Sequence, residues 1–204
     1  MRNIICFHGN SGAGKTTLAH ALAQTIDSPV LTPTAKWKRF LESVYNLQEM
    51  TLDTQEGKNK RVSENTTFGE LLVDSFHFWA DHDPGFGARC LSRDLKDVAF
   101  SRSTVIVESI RNPEEVKVIN EAAVLHDAAV FVFLLDREEA EQYTSDKQQQ
   151  ECVQCYKPGT LRFEIDNNDN LPSVFAEVFY HYRKKAKQPE ATPEFIEQQR
   201  TTDL

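Results

Sequence analysis

The run Ile4-Ile5-Cys6-Phe7-His8-Gly9-Asn10-Ser11-Gly12-Ala13-Gly14-Lys15-Thr16-Thr17 decides the fold. Residues 3–8 read as a short strand, its Ile4-Ile5-Cys6-Phe7 centre apolar without alternation and so buried on both faces. Gly9-x-x-x-x-Gly14-Lys15-Thr16 follows at once and fills every fixed position of the loop pattern G-x-x-x-x-G-K-[ST]. Beyond it Leu18, Leu22 and Ile26 recur at helical spacing. Strand, glycine-rich loop and helix in that order turn backbone N–H groups and a helix N-terminus toward a phosphate. The pattern assigns Gly9, Asn10, Ser11, Gly12, Ala13, Gly14, Lys15, Thr16 and Thr17 to nucleotide phosphates. Lys15 reaches for the β- and γ-phosphates, and the Thr16 hydroxyl for Mg²⁺.

Outward from the loop, strand and helix patterns alternate. A strand at 29–32 leads to a helix at 33–45, and residues 47–65, polar and without period, read as a mobile insertion. Thr67-x-x-Glu70 is a capping box ahead of Leu71, Leu72, Phe76 and Trp79. Asp81-His82-Asp83-Pro84-Gly85 breaks that helix, and Pro84 opens another with Leu91, Leu95 and Val98 inward. Val105-Ile106-Val107 is a buried strand, and Asn112-Pro113-Glu114-Glu115 supplies a cap, a first-turn proline and acids at the positive dipole end. A strand at 129–135, a polar excursion at 137–158, a strand at 161–165 and a helix at 171–184 complete the pattern. The expected fold is α/β, a three-layer sandwich around a mostly parallel five-stranded sheet. One domain spans 1–187, with 47–65 an insertion, 137–160 a lid-like excursion and 188–204 a polar tail, disordered or loosely docked.

With 23 basic and 31 acidic residues the net charge is −8, which argues against nonspecific coating of nucleic acid. The longest apolar stretch, 128–135, has strand length and falls well short of the roughly 18 residues of a membrane span. Arg2 leads straight into a strand, so no secretory signal is read and a soluble, cytoplasmic protein is expected. Four cysteines are too few for a disulfide framework, and Cys152-x-x-Cys155 lacks the two further ligands of a zinc site. The pair reads as two thiols in a polar loop.

A loop of this kind implies a nucleotide without naming the reaction. The N-K-x-D and D-x-x-G motifs of GTPases and the L-S-G-G-Q motif of transport ATPases are missing, which leaves small-molecule kinases. Glu108 closes its strand at the carboxyl edge, where open α/β sheets bind ligands, and suits Mg²⁺ or a substrate proton. Arg111 stands three residues on, able to clamp a phosphate. Arg89 and Arg93 share one helix face, and Lys36 and Arg39 another. With Asp83, these are the candidates for an acceptor pocket, although basic pairs on helices commonly face solvent and Asp83-Pro84 equally reads as a helix cap. Trp37, Phe76, Phe78, Trp79 and Phe86 gather in the same half of the chain.

The order of the loop, a Lys-rich helix, Trp79-Ala80-Asp81-His82-Asp83-Pro84 and then Val105-Ile106-Val107-Glu108-Ser109-Ile110-Arg111-Asn112-Pro113-Glu114-Glu115 resembles phage-type deoxynucleoside monophosphate kinases. More broadly it resembles nucleoside monophosphate kinases and dephospho-CoA kinase-like enzymes, over most of 1–182. The resemblance implies ATP and Mg²⁺ as cofactors, Thr16 and Glu108 on the metal, and Lys15, Glu108 and Arg111 in catalysis. It places Arg137 and Asn168 beside adenine, and Lys36, Arg39, Asp83, Arg89, Arg93 and Arg111 on the acceptor. Residues 138–160 contain no arginine, unlike the lids of many such kinases, so Arg111 or Arg137 would take that role. Related phage kinases act on 5-hydroxymethyluracil in DNA. Three readings follow: a deoxynucleoside monophosphate kinase, a kinase of modified DNA, and a nucleotide-binding regulatory module without transfer. The expected partners are a nucleotide substrate or modified DNA and no membrane, with a homodimer left open.

Overall fold

The computed structural model describes residues 2–10, 12–48, 51–99, 103–138 and 146–186, without the side chains of 55, 80, 99 and 146–149. The tail at 188–204 and Ser11 lie outside the described residues. Five strands, β1 (Arg2–Gly9), β2 (Val30–Leu31), β5 (Thr104–Glu108), β6 (Ala128–Asp136) and β7 (Leu161–Asp166), form one sheet in the order β2-β5-β1-β6-β7. Every pairing in it is parallel. Burial explains why: β5 is buried at each position, and β1 at all but its two ends, so helices must cover both faces.

Alternate residues of β1 feed the two faces. Ile5 and Phe7 join Leu18, Leu22 and Ala23 of α1 (Lys15–Ile26) and Val174, Val178 and Tyr182 of α8 (Leu171–Ala186). Ile4 and Cys6 join Leu91 and Leu95 of α5 (Phe86–Ala99) and Val116 and Ile119 of α6 (Pro113–Leu125) on the other face. The three-layer α/β sandwich expected from the strand-helix alternation is the fold observed.

Two segments differ from expectation. Residues 47–65, read as a mobile insertion, contain a 3₁₀ turn at Thr51–Asp53, α3 (Gln55–Asn59) and β3 (Arg61–Ser63), which pairs as a hairpin with β4 (Thr66–Thr67) just beyond. Fully buried Leu52 packs there with Leu41 of α2 (Ala35–Val44) and Phe68 of α4 (Phe68–His82). Buried Glu42 accepts a hydrogen bond from the Leu52 N–H at 2.7 Å. One leucine and a buried carboxylate hold the segment, and neither produces a period. In the excursion, residues 146–154 form α7 (Asp146–Gln154), which seats Cys152 and the following Tyr156 in the second core. Cys152 is therefore a core residue rather than a thiol in a polar loop. Residues 139–145 lie outside the described residues.

The capping box read at Thr67 and Glu70 is formed, and the cap read at Asn112 is a full capping box with Glu115. The helix break falls later than expected: α4 continues through Asp81 and His82, and α5 begins at Phe86 rather than at Pro84. Among the described residues no helix is long and apolar enough to cross a membrane.

Candidate active site

β1 delivers the loop at the carboxyl edge of the sheet, and three glycines bend it inward with φ of 141° (Gly9), 81° (Gly12) and 83° (Gly14). A Cβ on Gly9 would stand 2.5 Å from the Leu135 carbonyl oxygen, and one on Gly14 would stand 2.4 Å from Asn167 Nδ2. Only glycine fits such contacts at positive φ. α1 then starts with no side-chain cap and no acid in its first turn. Its leading N–H groups are left for an external acceptor, at the positive end of the helix dipole. These features fit a nucleotide phosphate. Thr17 is exposed on that first turn, and the Asn10 carbonyl accepts from the Ala13 N–H at 3.2 Å.

Lys15 Nζ donates to the Gly9 carbonyl at 2.8 Å and the Asn10 carbonyl at 2.6 Å, folded back over the loop. Burial first, then the charge of Arg111, push its pKa down to about 8; Glu108 opposes and Lys58 adds to the fall. An incoming phosphate would restore the ammonium by offering the missing counter-charge.

Glu108 ends β5 and is 2% exposed. Its Oε2 accepts from the Thr16 hydroxyl at 2.5 Å and its Oε1 from the Thr32 hydroxyl at 3.0 Å. Thr32, just beyond β2, was not singled out by the sequence, where it is one of several threonines at strand ends. Ser109, immediately after Glu108, adopts φ 60°, so the backbone bends sharply between Glu108 and Arg111. The Arg111 guanidinium lies 4.9 Å over the Phe76 ring of α4, and its backbone N–H donates to Glu115 Oε2 at 2.7 Å. Burial lowers the Arg111 pKa, and Glu115 and Glu108 counter it. One carboxylate beside one threonine hydroxyl is a partial shell of hard oxygen donors. Mg²⁺ completes such a shell with water and phosphate oxygens, so Thr16 and Glu108 fit it.

The acceptor-side expectations scatter. Lys36 pairs with Asp94 of α5 at 2.5 Å, and Arg39 pairs with Glu42 and Asp53. Arg89 pairs with Asp83 and borders an open groove of about 330 Å³ between α5 and α6, lined by no described residue of the phosphate loop. Arg93 is exposed on α5. Of these residues, Arg111 alone stands in the electrostatic neighbourhood of Lys15 and Glu108.

Two lysines that sequence reasoning missed are there instead. Lys38 of α2 has a side chain 12% exposed and donates to Asp53 Oδ1 at 2.9 Å. Lys58 comes from α3, inside the segment read as an insertion. For both, burial is the first cause of a lowered pKa, and both feel Glu108 and Arg111. A signal for Lys38 was present: it falls on the same helical stripe as Trp37 and Leu41, a basic residue on an apolar face.

On the far side, Arg137 Nη1 reaches the Gly12 carbonyl at 3.4 Å. Asn168 accepts from the Glu138 N–H at 3.0 Å and donates to Asp166 at 2.7 Å. Its neighbour Asn167 is the residue that holds the loop: buried, it donates through Nδ2 to the Ala13 carbonyl at 2.6 Å. Beneath the loop, His8 Nε2 and the Tyr156 hydroxyl share a buried hydrogen bond of 2.7 Å. Burial, then Lys15, lower the His8 pKa to about 4.

With this geometry in view, residues 5–63 match the family model described as ATPase family associated with various cellular activities (AAA). The match spans the β1–loop–α1 unit, and the α/β fold with its five-stranded parallel sheet is consistent with a P-loop kinase fold. No curated protein matches it. Solved structures similar to it include an unliganded sugar kinase from Janibacter sp., at 15% identity and TM-score 0.45, covering 88% of this chain and 94% of that one. A gluconokinase from Sinorhizobium meliloti gives 13% identity, TM-score 0.46, and coverage of 92% and 96%. A putative kinase from Chloroflexus aurantiacus gives 14%, 0.43, and coverage of 90% and 97%.

Proposed function

We propose that this P-loop protein is a Mg-ATP-dependent phosphotransferase whose acceptor is a nucleotide, a deoxynucleoside monophosphate first among them. The observation that carries the reading is Glu108, held by the Thr16 and Thr32 hydroxyls at the mouth of the phosphate loop with Arg111 beside it. A protein that only stored Mg-nucleotide would need the loop, Thr16 and Glu108 but not the Arg111 guanidinium in the field of Lys15 and Glu108.

Loop amides and Lys15 hold the β- and γ-phosphates of ATP. Thr16 and Glu108 would hold Mg²⁺, which would supply charge neutralisation at the phosphates. An acceptor phosphate oxygen forms a bond to the γ-phosphorus as the bond to the bridging oxygen breaks, and ADP leaves with that electron pair. The transition state is loose, so positioning and neutralisation by Lys15 and Arg111 supply most of the rate.

The test is transfer of radiolabelled γ-phosphate from ATP to deoxynucleoside monophosphates and, in parallel, to DNA containing 5-hydroxymethyluracil. Label in a diphosphate product is expected. Label retained in DNA would replace this reading with that of a DNA-modifying kinase, and nucleotide binding without transfer to either would replace it with that of a regulatory module.

A further inference from the structure

Resting on the phosphotransfer reading above, we infer that Lys38 and Lys58 join Arg111 as the anion-binding end of the acceptor pocket, with Trp37 and Trp79 as its aromatic wall. The folded segment 51–67 is then the element that delivers the acceptor-binding lysine.

Lys58 is held as surface lysines are not. Thr54 caps α3 by accepting from the Gly57 N–H at 3.0 Å, and a Cβ on Gly57 would stand 1.9 Å from the Thr51 carbonyl oxygen. The Lys58 carbonyl and Cβ pack against the first turn of α4, 3.4 and 3.5 Å from where a Cβ of Gly69 would be. The turn that only Gly57 permits and this packing together fix the base of the lysine. No carboxylate among the described residues lies within ion-pair distance of its ammonium. Among the described residues Lys38 pairs with Asp53, which Arg39 shares.

Lys15, Lys38, Lys58 and Arg111 therefore crowd positive charge around Glu108, with buried Glu42 countering at Lys38 and buried Glu115 at Arg111. Such a group is unfavourable alone and is relieved by an anion. Lys15 belongs to the donor through the loop, which leaves Lys38 and Lys58 on α2 and α3 for a second anion.

The wall beside them is aromatic. Phe76, under Arg111, and Trp79 are three apart on α4, hence on one face. Trp79 meets Trp37 edge-on at 5.9 Å, next in sequence to Lys38. The Trp37 indole N–H is buried without a hydrogen-bond partner among the described residues, a donor that a ligand oxygen would satisfy. The acceptor chemistry that fits is a small anion bearing a planar ring.

The chain's two tryptophans are Trp37 and Trp79, so their fluorescence reports occupancy. The protein, with Mg²⁺ and a non-hydrolysable ATP analogue, is titrated with deoxynucleoside monophosphates, the matching neutral nucleosides, a hexose 6-phosphate and a sugar acid. The monophosphate is expected to bind at least tenfold tighter than its nucleoside. Lys58→Met and Lys38→Met should each erase at least tenfold of that preference while leaving the analogue's affinity within threefold. Lys58→Arg should restore it. Lys38→Met breaks the Asp53 pair; if it fails to fold, Lys58→Met, which breaks no such pair, decides. Monophosphate binding that ignores Lys58, or no anion binding at all, overturns the inference. Lys58-dependent binding of the sugar anions alone upholds the anion end, but sinks both the aromatic wall and the nucleotide reading.

Discussion

At the scale of single residues, Glu108 is the position where substitution should separate binding from turnover. Its two oxygens accept from two hydroxyls, Thr16 and Thr32. A glutamine keeps one acceptor and loses the charge that favours Mg²⁺. Glu108→Gln should cut kcat by more than about tenfold while ATP affinity stays within about threefold. Unchanged turnover would remove Glu108 from the chemistry. A second contrast lies between neighbours. Asn167 donates to the Ala13 carbonyl inside the core, whereas Asn168 is exposed and bonds to Asp166 and Glu138. Removing a buried donor costs about 1–3 kcal/mol, so Asn167→Ala should weaken ATP binding by roughly tenfold or more and Asn168→Ala by much less. Equilibrium titration with a fluorescent ATP analogue reads both, and equal losses would mean that Asn167 does not hold the loop.

At the scale of elements, what the sequence discloses depends on how local the cause is. The β1–loop–α1 unit is legible because each fixed position acts on its own neighbours, and the caps at Thr67 and Asn112 are legible for the same reason. The segment 51–67 was opaque because its order comes from outside: Glu42 accepting from the Leu52 N–H, and Lys38 and Arg39 meeting Asp53. Such partners leave no period. The choice between Asn167 and Asn168 was opaque too, since it depends on the register that pairs Asp166 with Asp136 across β7 and β6. Lys38 was half legible, on the buried stripe of α2, while the exposed Lys36 was the more conspicuous. The unit around Leu52 makes its own prediction. Leu52 is fully buried in a small satellite cluster with Leu41 and Phe68, so Leu52→Ala should cost about 2–4 kcal/mol. Hydrogen exchange should then show amide protection lost across 51–67 and retained in β1 and β6. Uniform loss over the whole chain would show that the segment is continuous with the main core rather than a separable unit.

For the whole molecule, stability against pH is set in part by two buried titratable groups on the side of the sheet that α5, α6 and α7 cover. His8 is held neutral, its pKa lowered to about 4 by burial and then by Lys15. The folded state thus binds fewer protons than the unfolded one between about 4 and 6.5, and stability from this group falls as pH drops through that window. Glu115 is fully buried, and burial raises its pKa to about 7 against the hydrogen bonds from the Arg111 and Asn112 N–H groups, which lower it. Here the folded state binds more protons than the unfolded one from about 4.5 to 7, and stability falls as pH rises. The two slopes are opposite and overlap, so they nearly cancel in the wild type between about 4.5 and 6.5. Single substitutions should uncover them. Each shift is worth at most roughly 3 kcal/mol, or about 6–12 °C in Tm for a chain of this size. Glu115→Gln should therefore gain on the wild type as pH rises from about 4.5 to 8, and His8→Gln should gain as pH falls from about 6.5 toward 4. Taking differences from the wild type at each pH removes the exposed carboxylates common to all three proteins. Thermal melts that give pH-independent differences for both variants would mean that neither group changes its proton affinity on folding.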